Sequence, residues 1–197
     1  MKKKALEKAR NLLKTEGDYV INSMELLNTE AREEIENILW EVAYISENLN
    51  DILIEILLRY HPMATELRFV RSALNVNYDL YRMMRHLSRI EVLLKLHKSE
   101  EQGNLIEEAM KLFRPWVLRG IEALTEDKKI PIDELPFFEF EFNELWSSYI
   151  RTKDPYVVGT LIHLESFFSY VKNILRSAVY YFLGSRGVEE TPMLYLV

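Results

Sequence analysis

Acidic residues recur at every fourth position of one helical stretch, at Glu47, Asp51 and Glu55. This spacing aligns carboxylates on one helix face, as in helical bundles that hold two metal ions. Those bundles also need paired Glu-x-x-His motifs, and the sequence contains none. The acidic run therefore predicts a solvated helix face rather than a di-metal centre.

Histidines and arginines are the other side chains with binding chemistry. The histidines are scattered without an H-x-x-x-H pair, so a metal site would require them to converge in the fold: His61, His86, His97 and His163. One hypothesis is a reduced metal site with His163 and Glu165 as ligands. Five arginines follow a single helical stretch, where they either pair with neighbouring acids or bind an anion or a partner: Arg68, Arg71, Arg82, Arg85 and Arg89.

Composition excludes several classes of function. The chain of 197 residues has no cysteine, which excludes disulfides, thiolate metal sites and cysteine nucleophiles. The sequence has no glycine-rich phosphate loop and no G-x-S-x-G motif, so we predict that the protein is not an enzyme. A net charge of −6 argues against nucleic-acid binding. The basic N-terminus, from Lys2 to Lys14, is predicted to be a solvated helix.

Apolar spacing is helical almost throughout and predicts six helices. Their approximate bounds are 3–27, 30–60, 62–97, 105–125, 137–149 and 155–183. In the third and sixth of these helices, apolar stripes from Leu80 to Leu94 and from Leu164 to Ala178 are predicted to face the core. We predict that Thr29 caps the second helix, that Pro62 lies in the first turn of the third, and that Ser99 to Asn104 form a linker. Asp154 and Pro155 should begin the sixth helix, which Gly184 ends.

The layout of three helices, a linker and three helices predicts a duplicated unit. In each half a long third helix begins at a proline, Pro62 or Pro155. We therefore predict an all-α fold of two antiparallel three-helix bundles side by side, with residues 1–100 in the first and 101–197 in the second. An aromatic group in the second half has too many members to face one core, so part of it should be an interface: Phe137, Phe138, Phe140, Phe142 and Trp146.

The run HPMATELRFVRSALNVNYDLYRM, from His61 to Met83, resembles the signature of the PhoU family of phosphate-uptake regulators. The family pattern is a Pro-x-Ala-x-acidic-Leu-Arg opening and a Leu-Glu-Arg segment about a dozen residues later. The matching residues here are Pro62, Ala64, Glu66, Leu67, Arg68, Leu80 and Arg82. The closing helix is also similar, with Leu164, Glu165, Asn173, Ile174 and Gly184, so the resemblance covers 14–184. It implies a fold of two three-helix bundles.

PhoU-like proteins generally carry an E-x-x-x-D motif in helices three and six, and these motifs bind metal clusters. The corresponding positions here hold Tyr81 and Arg85 in helix three, and Glu165 and Ser169 in helix six. Only one carboxylate remains, and a guanidinium repels a cation. We therefore predict no cofactor, with residual binding of iron or another divalent metal as the alternative. A salt bridge between Arg85 and Glu165 is a further hypothesis.

The resemblance implies a cytoplasmic, non-enzymatic regulator of phosphate uptake that acts through protein–protein contacts. Its partners would be subunits of a phosphate ABC transporter or a sensor kinase, with membrane association only through them and with homodimer formation. The predicted partner or anion surface is Arg68, Arg82, Arg85 and Arg89. Two alternatives remain open, a metal-binding helical bundle and a helical scaffold with no role in phosphate uptake.

Overall fold

The computed structural model describes residues 1–27 and 29–184, and within them every regular element is helical. The bounds are α1 (Lys2–Leu26), α2 (Glu34–Tyr60), α3 (Thr65–Leu96), α4 (Glu100–Thr125), α5 (Leu135–Tyr149) and α6 (Pro155–Leu183). Short 3-10 turns at Glu30–Glu33 and Ile132–Glu134 precede α2 and α5. The predicted all-α fold is confirmed. The sequence also predicts that the five apolar residues 193–197 dock or pair, and these lie outside the described residues.

The predicted linker from Ser99 to Asn104 is wrong. The Ser99 hydroxyl oxygen accepts a hydrogen bond from the Gln102 N–H at 3.2 Å, so Ser99 is the N-cap and α4 begins at Glu100. Gly103 therefore lies inside the helix, where open space surrounds the position of a side chain. A local serine cap has decided the boundary, because it satisfies an N–H that the first helical turn leaves unpaired.

Two other predicted helix starts are displaced by a few residues. Pro62 precedes α3 instead of lying in its first turn, because His61 and Ala64 adopt positive φ angles of 45° and 49°. The Thr29 hydroxyl accepts the Ala31 N–H at 3.2 Å, which caps the 3-10 turn, whereas α2 begins only at Glu34. The start of α6 is as predicted, since Asp154 Oδ1 accepts the Tyr156 N–H at 2.8 Å.

The helices pack so that α3 and α6 form the central contact. Helix α1 lies against α2, α3 and α4, while α4 also packs on α6 and carries α5. The predicted core stripe of α3, from Leu80 to Leu94, is buried, as is that of α6 from Leu164 to Ala178. At the α4–α6 crossing, a β-carbon at Gly120 would lie 2.4 Å from Ile174, so close helix approach requires glycine there. The division of the chain at residue 100 stays a prediction.

Glu16 on α1 is fully buried, and neither of its carboxyl oxygens has a hydrogen-bond partner among the described residues. Burial raises the pKa of Glu16 well above its usual value, because an isolated charge is costly in an apolar interior. The folded protein therefore retains a proton that the unfolded chain releases above about pH 4.5. It follows that this residue makes the fold less stable as the pH rises.

We expect Glu16→Gln to be more stable than the wild type at pH 8 by about 1–3 kcal/mol, because the amide carries no charge to desolvate. At pH 4 both proteins hold a neutral side chain, so the difference should nearly vanish. Urea denaturation at both pH values measures the effect. Glu7→Gln on the exposed part of α1 is the matched control and should change stability little at either pH. Equal stability of Glu16→Gln and wild type at pH 8 would contradict the prediction.

Candidate functional site on helices three and six

Two histidines that lie far apart in the sequence meet where α3 packs against α6. His86 Nδ1 lies 3.1 Å from His163 Nδ1, and the two rings are edge to face with centroids 5.2 Å apart. Tyr170, two turns beyond His163 on α6, places its ring 5.6 Å from that of His86. At this distance one imidazole donates a hydrogen bond and the other accepts, so both cannot be cationic.

The surroundings of the pair favour neutral imidazoles. Burial lowers the pKa of His86 to about 4, and the charges of His163, Arg82 and Arg85 act in the same direction. Burial also lowers the pKa of His163, with Arg89 as the second cause. A neutral pair near pH 7 therefore joins α3 to α6, with the charges of Arg82, Arg85 and Arg89 close enough to disfavour its protonation.

The positions of the degenerate metal motif do not converge into a metal site. Tyr81 is half-buried and packs against the core, whereas Arg85, Glu165 and Ser169 are exposed. The Ser169 hydroxyl donates to the Glu165 carbonyl oxygen at 3.2 Å, within its own helix. Among the described residues no ion pair joins Arg85 to Glu165, so the replacing salt bridge stays a hypothesis that no contact supports. In 1–27 and 29–184, no three His, Asp or Glu side chains cluster as metal ligands would.

The predicted arginine surface divides into two parts. Arg68 Nε donates to the Tyr181 carbonyl oxygen at 2.9 Å, which ties α3 to the end of α6. Arg82 donates to the Tyr78 hydroxyl and lies over that ring, 4.7 Å from its centroid. Arg85 and Arg89 are exposed and make no hydrogen bond or ion pair within the described part of the chain. Of the four arginines of the predicted surface, Arg85 and Arg89 are therefore the two whose guanidiniums have no partner among the described residues.

A buried acid near this face was missed in the sequence. Asp79 on α3 is 5% exposed, and burial raises its pKa to about 7 despite a hydrogen bond from Asn173 and the nearby charge of Arg82. It lines a polar pocket of about 360 Å³ between α3 and α6, together with Asn75, Tyr78, Asn173 and Arg176. The available signal was position, because Asp79 lies next to Leu80 on the buried side of the helix.

The aromatic group of α5 is divided between core and surface, as predicted. Phe138 and Phe142 are 2% and 4% exposed, whereas Phe137 and Phe140 are 69% and 62% exposed. Phe137 borders an open groove of about 770 Å³ between α4 and α5.

Among the residues that the structure describes, no helix combines the length and apolarity needed to cross a bilayer.

The six-helix arrangement around the α3–α6 contact is a PhoU-like fold. Among solved structures, the chain is similar to PhoU from Pseudomonas aeruginosa, with a TM-score of 0.62 over 98% of this chain and 95% of that chain. Sequence identity to it is 14%, so the likeness defines the fold alone. No protein-family model matches the chain. No curated protein matches it either.

The histidine pair makes stability depend on pH in a predictable direction. Because the folded-state pKa of His86 is below its usual value, the unfolded chain binds more protons between about pH 6.5 and 4. The wild type should therefore lose stability at His86 as the pH falls through this range, by roughly 1–2 kcal/mol after allowance for partial exposure. We expect His86→Gln to remove that loss, measured as the difference between urea-denaturation profiles. Parallel profiles would contradict the prediction, and His61→Gln at an exposed position is the control.

Proposed function

We propose that this protein is a cytoplasmic, non-enzymatic, PhoU-like regulator of phosphate uptake that acts by binding other proteins. The observation that carries the proposal is the likeness to PhoU over nearly the whole chain. The signature-like run from His61 to Met83 supports the same assignment. The proposed partners are subunits of a phosphate ABC transporter or its sensor kinase, and any membrane association would occur through them.

Binding is proposed as the mechanism because the α3–α6 face offers donors and charge but little chemistry for turnover. Arg85 and Arg89 present exposed guanidiniums whose charges act on the His86–His163 pair. Such a surface suits carboxylates on a protein partner, with anion binding as the second use of the same groups. Self-association is proposed through the exposed aromatic residues Phe137 and Phe140.

The proposal is tested in the source organism by deletion of the gene and measurement of phosphate uptake under phosphate-rich conditions. We expect uptake to rise in the deletion strain and to return to normal when the wild-type gene is restored. Tagged protein should also co-purify with phosphate-transporter subunits. Unchanged uptake together with no recovery of these subunits would contradict the regulator and favour a scaffold without a phosphate role.

A metal-binding bundle is the rival function, and elemental analysis distinguishes the two. We expect purified protein to contain iron, manganese and zinc far below one atom per chain, because three of the four motif positions lack a carboxylate. Arg85→Asp with Ser169→Asp is the matched variant, since it restores acidic residues at two motif positions and should raise metal content. Stoichiometric metal in the wild type would overturn the view that the site is lost.

A further inference from the structure

The face of α2 that points away from the core carries an unusual order of exposed side chains. Trp40 and Tyr44 near its N-terminal end are 71% and 67% exposed, and Ile54 and Leu58 near its C-terminal end are 41% and 71% exposed. Between these apolar pairs lie Glu47 and Asp51, which are also exposed. We call these six residues the α2 outer stripe.

The α2 outer stripe follows one line along the helix. Its members are separated by alternating steps of four and three residues, the spacing of a coiled-coil seam. At 100° per residue they fall within about 40° of one direction, opposite the buried positions Val42, Leu49 and Ile56. The stripe spans about 27 Å from Trp40 to Leu58 at 1.5 Å per residue. Helix α2 packs mainly on α1, α3 and the preceding 3-10 turn, and all six side chains of the stripe are exposed in the described chain.

The centre of the stripe carries two acidic side chains. Glu47 and Asp51 form no ion pair within 1–27 and 29–184, whereas nearby Glu55 pairs with Arg59 at 2.8 Å. Apolar residues at both ends would exclude water from a helix laid along the stripe. Two carboxylates in the middle of such an interface require positive charge opposite them, because an unpaired charge removed from water is costly.

This order of residues excludes a second copy of α2 as the occupant. Consider two copies of α2 that pack antiparallel, with the point between Glu47 and Asp51 of one copy opposite the same point of the other. The Trp40–Tyr44 end of each copy would then contact the Ile54–Leu58 end of its partner, but the four carboxylates of the two copies would face each other at the centre. A parallel pair would place each acid against its own counterpart. Like charges in direct opposition across an interface destabilise it strongly.

We propose that the α2 outer stripe is the docking site for one amphipathic helix of a partner protein, with apolar residues at both ends and Lys or Arg at its centre. The partner helix would place its cations against Glu47 and Asp51 and its apolar ends against the Trp40–Tyr44 and Ile54–Leu58 pairs. This inference goes beyond the proposed function, since it holds whether or not the partner belongs to a phosphate transporter.

Two stapled, fluorescein-labelled helical peptides test the proposal with the full chain. Both peptides carry leucines near each end, in two groups whose centres are 14 residues, or about 21 Å, apart along the helix. The basic peptide has arginines between those groups, and the acidic peptide has glutamates there. By fluorescence anisotropy, we expect saturable binding of the basic peptide at least tenfold tighter than that of the acidic peptide, and weaker binding as salt concentration rises.

Substitutions then assign the binding to the stripe. Glu47→Lys with Asp51→Lys should reverse the preference, so that the acidic peptide binds at least tenfold more tightly. Glu141→Lys with Glu144→Lys changes the same charge on exposed positions of α5 and should leave the preference unchanged. Trp40→Ala with Leu58→Ala should weaken binding of the basic peptide at least fivefold. Circular dichroism checks that each variant remains helical.

Three results would overturn the proposal. Equal binding of the two peptides, or no saturable binding of either, would show that the stripe does not select a basic-centred helix. An unchanged preference in the Glu47→Lys, Asp51→Lys variant would place the binding elsewhere. Sedimentation of a wild-type dimer that dissociates when Trp40 and Leu58 are replaced would show that a second copy covers the stripe. None of these results bears on phosphate uptake in the deletion strain, so the two proposals fail separately.

Discussion

Phe113→Ala is expected to lower the free energy of unfolding by about 3–5 kcal/mol, the largest effect of any single substitution considered. Phe113 on α4 is fully buried and stacks on Phe167 of α6, with ring centroids 5.3 Å apart. Its ring also lies against Phe138 and Phe142 of α5, at 6.2 Å and 5.7 Å. Truncation removes the ring on which three helices meet and leaves a cavity that a bundle of long helices fills poorly.

Chemical denaturation followed by tryptophan fluorescence and by circular dichroism measures this loss. Phe140→Ala is the matched control, because the same ring on α5 is 62% exposed and its removal should change stability by no more than about 0.5 kcal/mol. A similar cost for the two substitutions would contradict the division of the aromatic residues into core and surface.

Arg10→Ala should lower the free energy of unfolding by about 2–4 kcal/mol, since it removes several contacts that join the two ends of the chain. The Arg10 guanidinium donates to the Leu124 carbonyl oxygen and, at 2.9 Å, to the Tyr181 hydroxyl. It also lies 4.5 Å from the centroid of the Phe69 ring. The Tyr181 hydroxyl in turn donates to Asp127 Oδ1 at 2.5 Å, so one side chain on α1 organises groups from α3, α6 and the end of α4.

Urea denaturation of three variants separates these contributions. Arg10→Lys keeps the charge but lacks the planar guanidinium with its several N–H donors. It should therefore retain less than half of the stability that Arg10→Ala loses. Lys8→Ala removes an exposed cation from the same helix and should be nearly neutral. If Arg10→Ala were as mild as Lys8→Ala, the network around Tyr181 would contribute nothing to the fold.

The helices could be predicted because their signals are local. Apolar spacing predicted the buried stripes of α3 and α6, and the Asp154 cap with Pro155 predicted the start of α6. The predicted linker was wrong because Ser99, a residue type common in loops, caps a helix with its hydroxyl. The spacing of Glu47, Asp51 and Glu55 predicted only a solvated acidic face, so the exposed apolar residues of α2 on either side of it were not predicted.

Composition and apolar periodicity were enough to predict the all-α class and the approximate helices, because both depend on residue type at a fixed helical spacing. Residue identity alone shows that three of the four positions of the acidic motif lack a carboxylate. Only the tertiary structure brought His86 to His163 and Arg10 to Tyr181. These pairs are separated by 77 and 171 positions, and their meeting depends on how helices cross and slide against each other. Periodicity defines which face of a helix is buried, but the packing of side-chain ridges decides what that face meets.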